Sequence, residues 1–123
     1  MNEVWQDKIP PQDIEAEQAV LGAIFLDSDT LIDAMEIVTP RSFYRRSHQI
    51  IFQSMIQLSN RGEAIDLVTL KAEIEKSNAL EDIGGISYLS ELSQSTPSSA
   101  SVSYYAKIVD DKSLLRQLIQ TAN

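Results

Sequence analysis

Residues 101–123 read SVSYYAKIVDDKSLLRQLIQTAN and are the most informative stretch of the chain. The spacing of their apolar residues predicts a helix, yet no Gly, no Pro and no cationic last turn follows to end it. A helix leaves its last carbonyl groups without partners inside the helix, and the residues at its end usually supply a stop signal. We therefore expect a self-contained helical domain cut from a longer protein.

The same stretch carries apolar residues on two opposite sides of the predicted helix. At a step of ~100° per residue, Val102, Tyr105, Ala106 and Val109 share one side. The opposite side, here called the outer stripe, is our candidate surface for assembly or for a partner, and it consists of Tyr104, Ile108, Leu114, Leu115, Leu118 and Ile119. Two arrangements stay open. Either each half of the helix packs against a different body, or both halves enter one core through a bend at Ser113.

The composition indicates a single globular domain and argues against several functional classes. Of the 123 residues, 43% are apolar, which suits a chain that buries roughly two thirds of its surface on folding. The net charge of -8 argues against a protein that wraps nucleic acid. With 0 cysteines there is no disulfide framework and no thiolate metal site. The N-terminus has no signal-peptide core, and we expect a cytoplasmic protein.

Start and stop signals divide the chain into about six helices with no confident strand. Residues 1–12 are interpreted as a flexible polar arm, and Asp13 is placed to cap a buried helix at 14–26. Gly22 in that helix indicates the close approach of a neighbouring helix. Further helices are predicted at 30–38, from 47 to the terminal Gly62, from 67 behind the cap Asp66, and around Ile86, Leu89 and Leu92. The sequence thus predicts an all-α bundle, with a helical domain at 13–112.

The search for catalytic chemistry returns little. No GxxxxGK[ST] loop is present, so this chain alone is not expected to hydrolyse ATP. The single histidine, His48, lies on the apolar stripe of its helix and is interpreted as structural. The pairs Glu15/Glu17 and Glu73/Glu75 have a spacing that points the two carboxylates to different helical faces, and we interpret all four as solvated surface. We predict no catalytic, cofactor-binding or metal-binding residue.

One basic cluster interrupts the acidic chain, formed by Arg41, Arg45 and Arg46 around Phe43 and Tyr44. Such a composition suits contacts to phosphates and stacking on a base. The alternative is a surface patch whose arginines pair with acidic neighbours. We keep the three arginines as a candidate polar contact patch of low specificity, and we expect DNA binding by this chain to be weak at most.

Four segments, in their order and spacing, resemble a known family. They read PPQDIEAEQAVLGAIFLD at 10–27, SFYRRSHQIIF at 42–52, DLVTL at 66–70 with GGISYLSEL at 84–92, and SYYAKIVDDKSLLRQLI at 103–119. Together they closely resemble the N-terminal domain of bacterial replicative DNA helicases of the DnaB type. The resemblance covers nearly the whole chain from Pro10 onward.

The resemblance implies a helical head that pairs with copies of itself and forms the N-terminal collar of a ring-shaped hexamer. Residues 113–123 would then start a helical hairpin or linker toward an absent RecA-like motor domain, which would use ATP and Mg²⁺. The implied partners are copies of the chain, the helicase-binding domain of primase, and a helicase loader or other primosome proteins, with no membrane involved.

Two other classes stay open. The chain could be a stand-alone helical adaptor or regulatory module without a motor, which a GxxxxGK[ST] loop in sequence beyond Asn123 would exclude. It could also be a small acid–base enzyme in which folding brings a carboxylate to His48. A buried, hydrogen-bonded His48 away from any cleft would argue against that enzyme.

Overall fold

The structure is a computed structural model and describes residues 9–122. This part of the chain folds into six α-helices and one short 3₁₀ helix. They are α1 (Ile14–Leu26), α2 (Thr30–Met35), the 3₁₀ helix (Pro40–Ser42), α3 (Arg46–Asn60), α4 (Leu67–Glu75), α5 (Gly85–Ser93) and α6 (Val102–Ala122). No residue between 9 and 122 lies in a strand, so the predicted all-α class is confirmed. The first eight residues of the predicted N-terminal arm lie outside the described range.

Helix α1 is the centre of the bundle, and α3, α5 and α6 all pack on it. Its start is fixed as predicted, because the Asp13 carboxylate accepts a hydrogen bond from the Ala16 N–H at 3.0 Å. The prediction for Gly22 is also confirmed. A Cβ atom at this position would lie 2.8 Å from the Leu92 carbonyl oxygen, so the glycine lets the end of α5 approach the α1 backbone.

Helix α2 is shorter than predicted, ending at Met35 instead of residue 38. The next residues form a turn in which the Val38 N–H donates to the Ala34 carbonyl, and Thr39 is extended because it precedes Pro40. The sequence analysis did not predict the 3₁₀ helix that follows. Its hydrogen bond from the Thr39 N–H to the Ser42 hydroxyl is local and measures 3.0 Å.

The ends of α3 and α4 follow their sequence signals. Gly62 has φ +70°, the left-handed conformation that closes a helix and that other residues adopt at a cost. Asp66 caps α4 by accepting from the Thr69 N–H at 2.9 Å, and the Thr69 hydroxyl accepts from the Asp66 N–H at 2.9 Å. These local signals explain why both boundaries were predictable.

The core lies between α1 and the helices around it, and its largest fully buried side chains include Phe43, Phe52, Leu21, Ile24, Met55, Leu70 and Leu89. Not every apolar residue of the predicted helices joins it. Ile32 on α2 stays exposed, and so does Ile86 on α5, although the prediction of α5 used Ile86 as one of its apolar residues. Within residues 9–122, no helix combines the length and the hydropathy that a bilayer crossing requires.

Candidate protein-interaction surface

Helix α6 runs without interruption from Val102 to Ala122, so the bend at Ser113 that the sequence left open does not occur. The polar residues 110–113 continue the helix. Ser113 is buried and lies four residues after Val109, on the side of α6 that faces the bundle. The two apolar sides therefore belong to one continuous helix, which removes the arrangement with a bend.

The inner side of the first half of α6 is part of the core. Val102, Ala106 and Val109 are each at most 3% exposed, and Tyr105 is partly buried. This side packs along α1. The prediction that these four residues form one buried face is confirmed.

The outer stripe is largely exposed. Leu114, Leu115, Leu118 and Ile119 keep 49%, 45%, 65% and 50% of their surface open to solvent, and Tyr104 keeps 69%. Ile108 differs because it is partly buried against the core. Large aliphatic side chains rarely cluster on the surface of a monomer unless another molecule covers them. The structure thus brings the predicted residues together on one helix face and leaves that face uncovered.

Arg116 is a residue whose contacts the sequence analysis did not predict. Its Nη1 donates to the Pro11 carbonyl and its Nη2 to the Ser42 carbonyl, each at 2.7 Å. Its guanidinium carbon also lies 5.4 Å from the centre of the Tyr44 ring, within the range of a cation–π contact. Arg116 follows Val109 by seven residues and so continues the inner side of α6, which is the signal that would have found it. It joins the second half of α6 to the start of the chain and to the 3₁₀ helix.

The arginines of the predicted basic patch do not converge on one site. Arg41, Arg45 and Arg46 are all exposed. Arg41 lines a groove beside α6, whereas Arg46 lines a separate groove between α3 and α4. The Arg45 guanidinium donates to the Tyr88 hydroxyl at 3.2 Å, instead of pairing with a carboxylate.

Glu17 is buried, so our interpretation of it as solvated surface is wrong. Its side chain accepts the N–H groups of Tyr44 at 2.7 Å and of Arg45 at 3.4 Å, and the His48 Nδ1 lies 2.7 Å away. On the other side of the ring, the His48 Nε2 lies 2.6 Å from the Tyr88 hydroxyl. Glu17 of α1 therefore binds the two backbone N–H groups that directly precede α3 and the His48 side chain in the first turn of α3.

His48 has no exposed surface. Both ring nitrogens lie within hydrogen-bond distance of neighbours in the fold, which agrees with the interpretation of this histidine as structural. An acid–base enzyme built on His48 needs a ring that a substrate can reach, and none of the grooves described in this structure is lined by it.

Glu73 is buried, so the interpretation of the pair Glu73/Glu75 as solvated surface is wrong for Glu73. Its side chain is only 8% exposed and accepts from Arg61 Nη2 at 2.5 Å and from Lys76 Nζ at 3.3 Å. The hydrogen bond from Arg61 holds the pKa of Glu73 below its ordinary value, and the same guanidinium lowers the pKa of Glu63. Glu15 and Glu75 are exposed, as predicted.

Comparisons with known proteins identify the family to which this chain is similar. The model of the DnaB-like helicase N terminal domain matches residues 9–111. A curated relative, the replicative DNA helicase DnaB of Geobacillus stearothermophilus, is 57% identical over 99% of this chain. The chain spans 27% of that relative's length.

Solved structures agree with this assignment. The N-terminal domain of DnaB helicase from Mycobacterium tuberculosis is 42% identical, with a TM-score of 0.89 over 93% of this chain and 83% of that one. A DnaB-like replicative helicase, described with its interactions with primase, is 29% identical, with a TM-score of 0.76 over 89% of this chain and 26% of its own. The family match, the helical fold and the resemblance found in the sequence all lead to one conclusion: this chain belongs to the family of DnaB-like helicase N-terminal domains.

Proposed function

We propose that this chain is the N-terminal assembly and primase-interaction domain of a ring-shaped hexameric replicative DNA helicase that unwinds DNA at the replication fork. Its partners are copies of itself, the helicase-binding domain of primase, and a helicase loader or other primosome proteins. The motor, with its ATP and Mg²⁺, belongs to the remainder of the longer protein, beginning beyond a hairpin or linker that starts at 113–123. The compartment is the cytoplasm, and the domain itself binds DNA weakly at most.

The observation that carries this proposal is the exposed outer stripe of α6. Interfaces commonly centre on a small number of large apolar anchors that become fully desolvated in the complex. Leu115 and Leu118 offer such anchors on consecutive turns of a helix whose other side is fixed to the bundle. A rigid apolar ridge loses little side-chain and backbone freedom on binding, which favours association.

The family supports the identity of the partners. A 29% identical DnaB-like helicase was solved with its interactions with primase, and the chain covers about a quarter of the length of such relatives. The stand-alone adaptor is the alternative. A GxxxxGK[ST] loop in the sequence that follows Asn123 would exclude it, whereas a gene that ends here would favour it.

The assembly role is tested by the mass in solution. Sedimentation velocity over a range of concentrations is expected to show reversible self-association of the chain, and the double variant Leu115→Ser/Leu118→Ser should remain monomeric. The control is Ile32→Ser/Val68→Ser, which changes two side chains of similar character that are 64% and 76% exposed on α2 and α4. Association that survives in the stripe variant would contradict the proposal.

The primase role is tested separately by calorimetry with the helicase-binding domain of the cognate primase. We expect the stripe variant to bind at least about tenfold more weakly, a loss of ~1.4 kcal/mol. The Ile32→Ser/Val68→Ser control should bind like the unaltered chain. If the two variants bind the primase domain with equal affinity, the outer stripe is not the primase-binding surface, and only its assembly role remains.

A further inference from the structure

An open groove of about 1210 Å³ lies along the inner side of the second half of α6. The stretch 9–11 forms one part of its lining, residues 41 and 43–44 form another, and the helix contributes residues between Ser113 and Gln120. Only the rim residue Ile119 belongs to both this groove and the outer stripe. The groove is therefore a second surface, which shares this one residue with the outer stripe and differs from it by its two arginines.

The charge of the groove is opposite to that of the chain. Arg41 and Arg116 line it, and none of its described lining residues is an Asp or a Glu, although the chain as a whole carries a net charge of -8. At physiological salt, exposed charges act over about 8 Å, so the lining, more than the distant surface, governs what enters. The charges of the described lining residues thus favour an anionic ligand.

The two arginines differ in how firmly they are held. Arg116 is half-buried, and the carbonyls of Pro11 and Ser42 together with the Tyr44 ring fix its guanidinium. These partners orient the cation, but none of them carries a negative charge. Arg41 is exposed, and no contact within residues 9–122 fixes its guanidinium. The groove thus pairs one oriented cation with one adaptable cation.

Apolar and amide groups accompany the two cations. Ile9 is 73% exposed and Ile119 is 50% exposed, while Gln117 and Gln120 lie along the helical wall. A guanidinium recognises a carboxylate through two parallel hydrogen bonds, isoleucines accept an apolar side chain, and amides bind peptide backbone groups. Acidic side chains interspersed with apolar ones, on an extended backbone, match all three kinds of group.

Single-stranded nucleic acid fits the groove less well. Such ligands stack their bases on exposed aromatic rings. Of the aromatic rings among the described lining residues, Phe43 is 1% exposed and Tyr44 has the Arg116 guanidinium over its ring. Two cations are also few for binding several consecutive phosphates, whereas they suffice to bind one or two carboxylates of a peptide.

We propose that this groove is a docking site for an acidic peptide segment of a partner protein, with Arg41 and Arg116 binding its carboxylates. The site goes beyond the assembly and primase role, because it uses the polar inner side of α6. A partner bound there would contact the start of the chain, the 3₁₀ helix and the end of α6 at once.

The test uses a defined probe, a fluorescein-labelled peptide with three repeats of Glu-Leu-Asp-Glu. Fluorescence anisotropy at physiological ionic strength is expected to show saturable binding, and amide resonances of the groove residues should shift in the NMR spectrum. The same peptide with Gln and Asn in place of its acids, and an oligothymidylate of equal length, should bind at least about tenfold more weakly.

Arg41→Ala is the decisive variant, because Arg41 is exposed and its loss leaves the Arg116 contacts in place. It should weaken acidic-peptide binding about three- to tenfold, as expected for the loss of one charged hydrogen-bonded pair. The control Lys71→Ala removes an exposed cation of α4 and should have no effect. Absence of saturable binding, equal binding of the oligothymidylate, or equal effects of the two variants would overturn the proposal.

Discussion

The two halves of α6 are attached to the same domain by different kinds of contact, apolar packing in the first half and polar contacts in the second. In the first half, Val102, Ala106 and Val109 are buried against the bundle. In the second half, the inner side is polar, and Arg116 joins it to the carbonyls of two distant segments. The first half therefore belongs to the core, whereas the second half is held at a small number of points.

This difference explains why an apolar surface can persist on the second half. The inner side there offers no apolar core for the outer stripe to join, and the continuous helix prevents the stripe from turning inward. A rod anchored by the core at one end and by Arg116 farther along presents Leu115 and Leu118 in a fixed orientation. The contacts that fix α6 to the bundle and the exposed outer stripe thus lie on opposite sides of one helix.

The largest expected effect comes from placing the same charge on the two sides. Ala106→Asp buries a carboxylate at a fully buried position and should lower the free energy of unfolding by about 4 kcal/mol or more. Leu115→Asp places it on the exposed side, where the change should stay within about 1 kcal/mol. Urea unfolding followed by circular dichroism measures both. Similar losses of unfolding free energy in the two variants would contradict the distinction between a buried and an exposed side of α6.

An intermediate effect is expected from Arg116→Ala. It removes two hydrogen bonds from a charged donor and one cation–π contact, and we expect a loss of ~2 kcal/mol. Hydrogen exchange should locate the change, with faster exchange at residues 113–122 and unaltered exchange at 102–109. The control Gln120→Ala alters a neighbouring polar residue on the same side. Uniform acceleration along the whole helix would mean that the two halves are not attached independently.

The smallest effect concerns pH and uses Arg61 as a contrast to Arg116. Because Arg61 holds the pKa values of Glu63 and Glu73 below the ordinary 4.5, its contribution to stability is fully present above that value and is lost as the pH falls through the folded-state pKa values. Arg116 binds two backbone carbonyl groups and lies over the Tyr44 ring, so it has no carboxylate partner among these contacts. Urea unfolding should show that Arg61→Ala is less destabilising at pH about 3 than at pH about 7, whereas the effect of Arg116→Ala should persist. A parallel pH dependence for both would contradict this assignment of contacts.

What the sequence predicted correctly depends on local signals. Asp13, Gly62 and Asp66 fix helix ends through contacts within a few residues, and the two sides of α6 follow from helical periodicity alone. The shorter α2 shows the limit of this approach, since its end depends on a turn before Pro40 that has no apolar periodicity.

The misses depend on contacts that span the chain. Glu17 looked like a solvated first-turn carboxylate because its partner His48 is 31 residues away. Arg116 looked like an ordinary polar residue because Pro11 is 105 residues away. The outer stripe was predictable because all its residues lie on one helix and follow its periodicity. The groove beside it is assembled from stretches that are far apart in the sequence, namely 9–11, 41–49 and 113–120.

Thiol labelling tests most directly the claim that one side of α6 builds the fold while the other awaits a partner. The chain has 0 cysteines, so Leu118→Cys and Val109→Cys each introduce a unique thiol. In dilute solution, the account predicts fast modification at position 118 and slow modification at 109. Raising the concentration or adding the primase domain should slow the reaction at 118 alone. A thiol at 118 that is protected at every dilution, or that stays equally reactive in all conditions, would contradict the account.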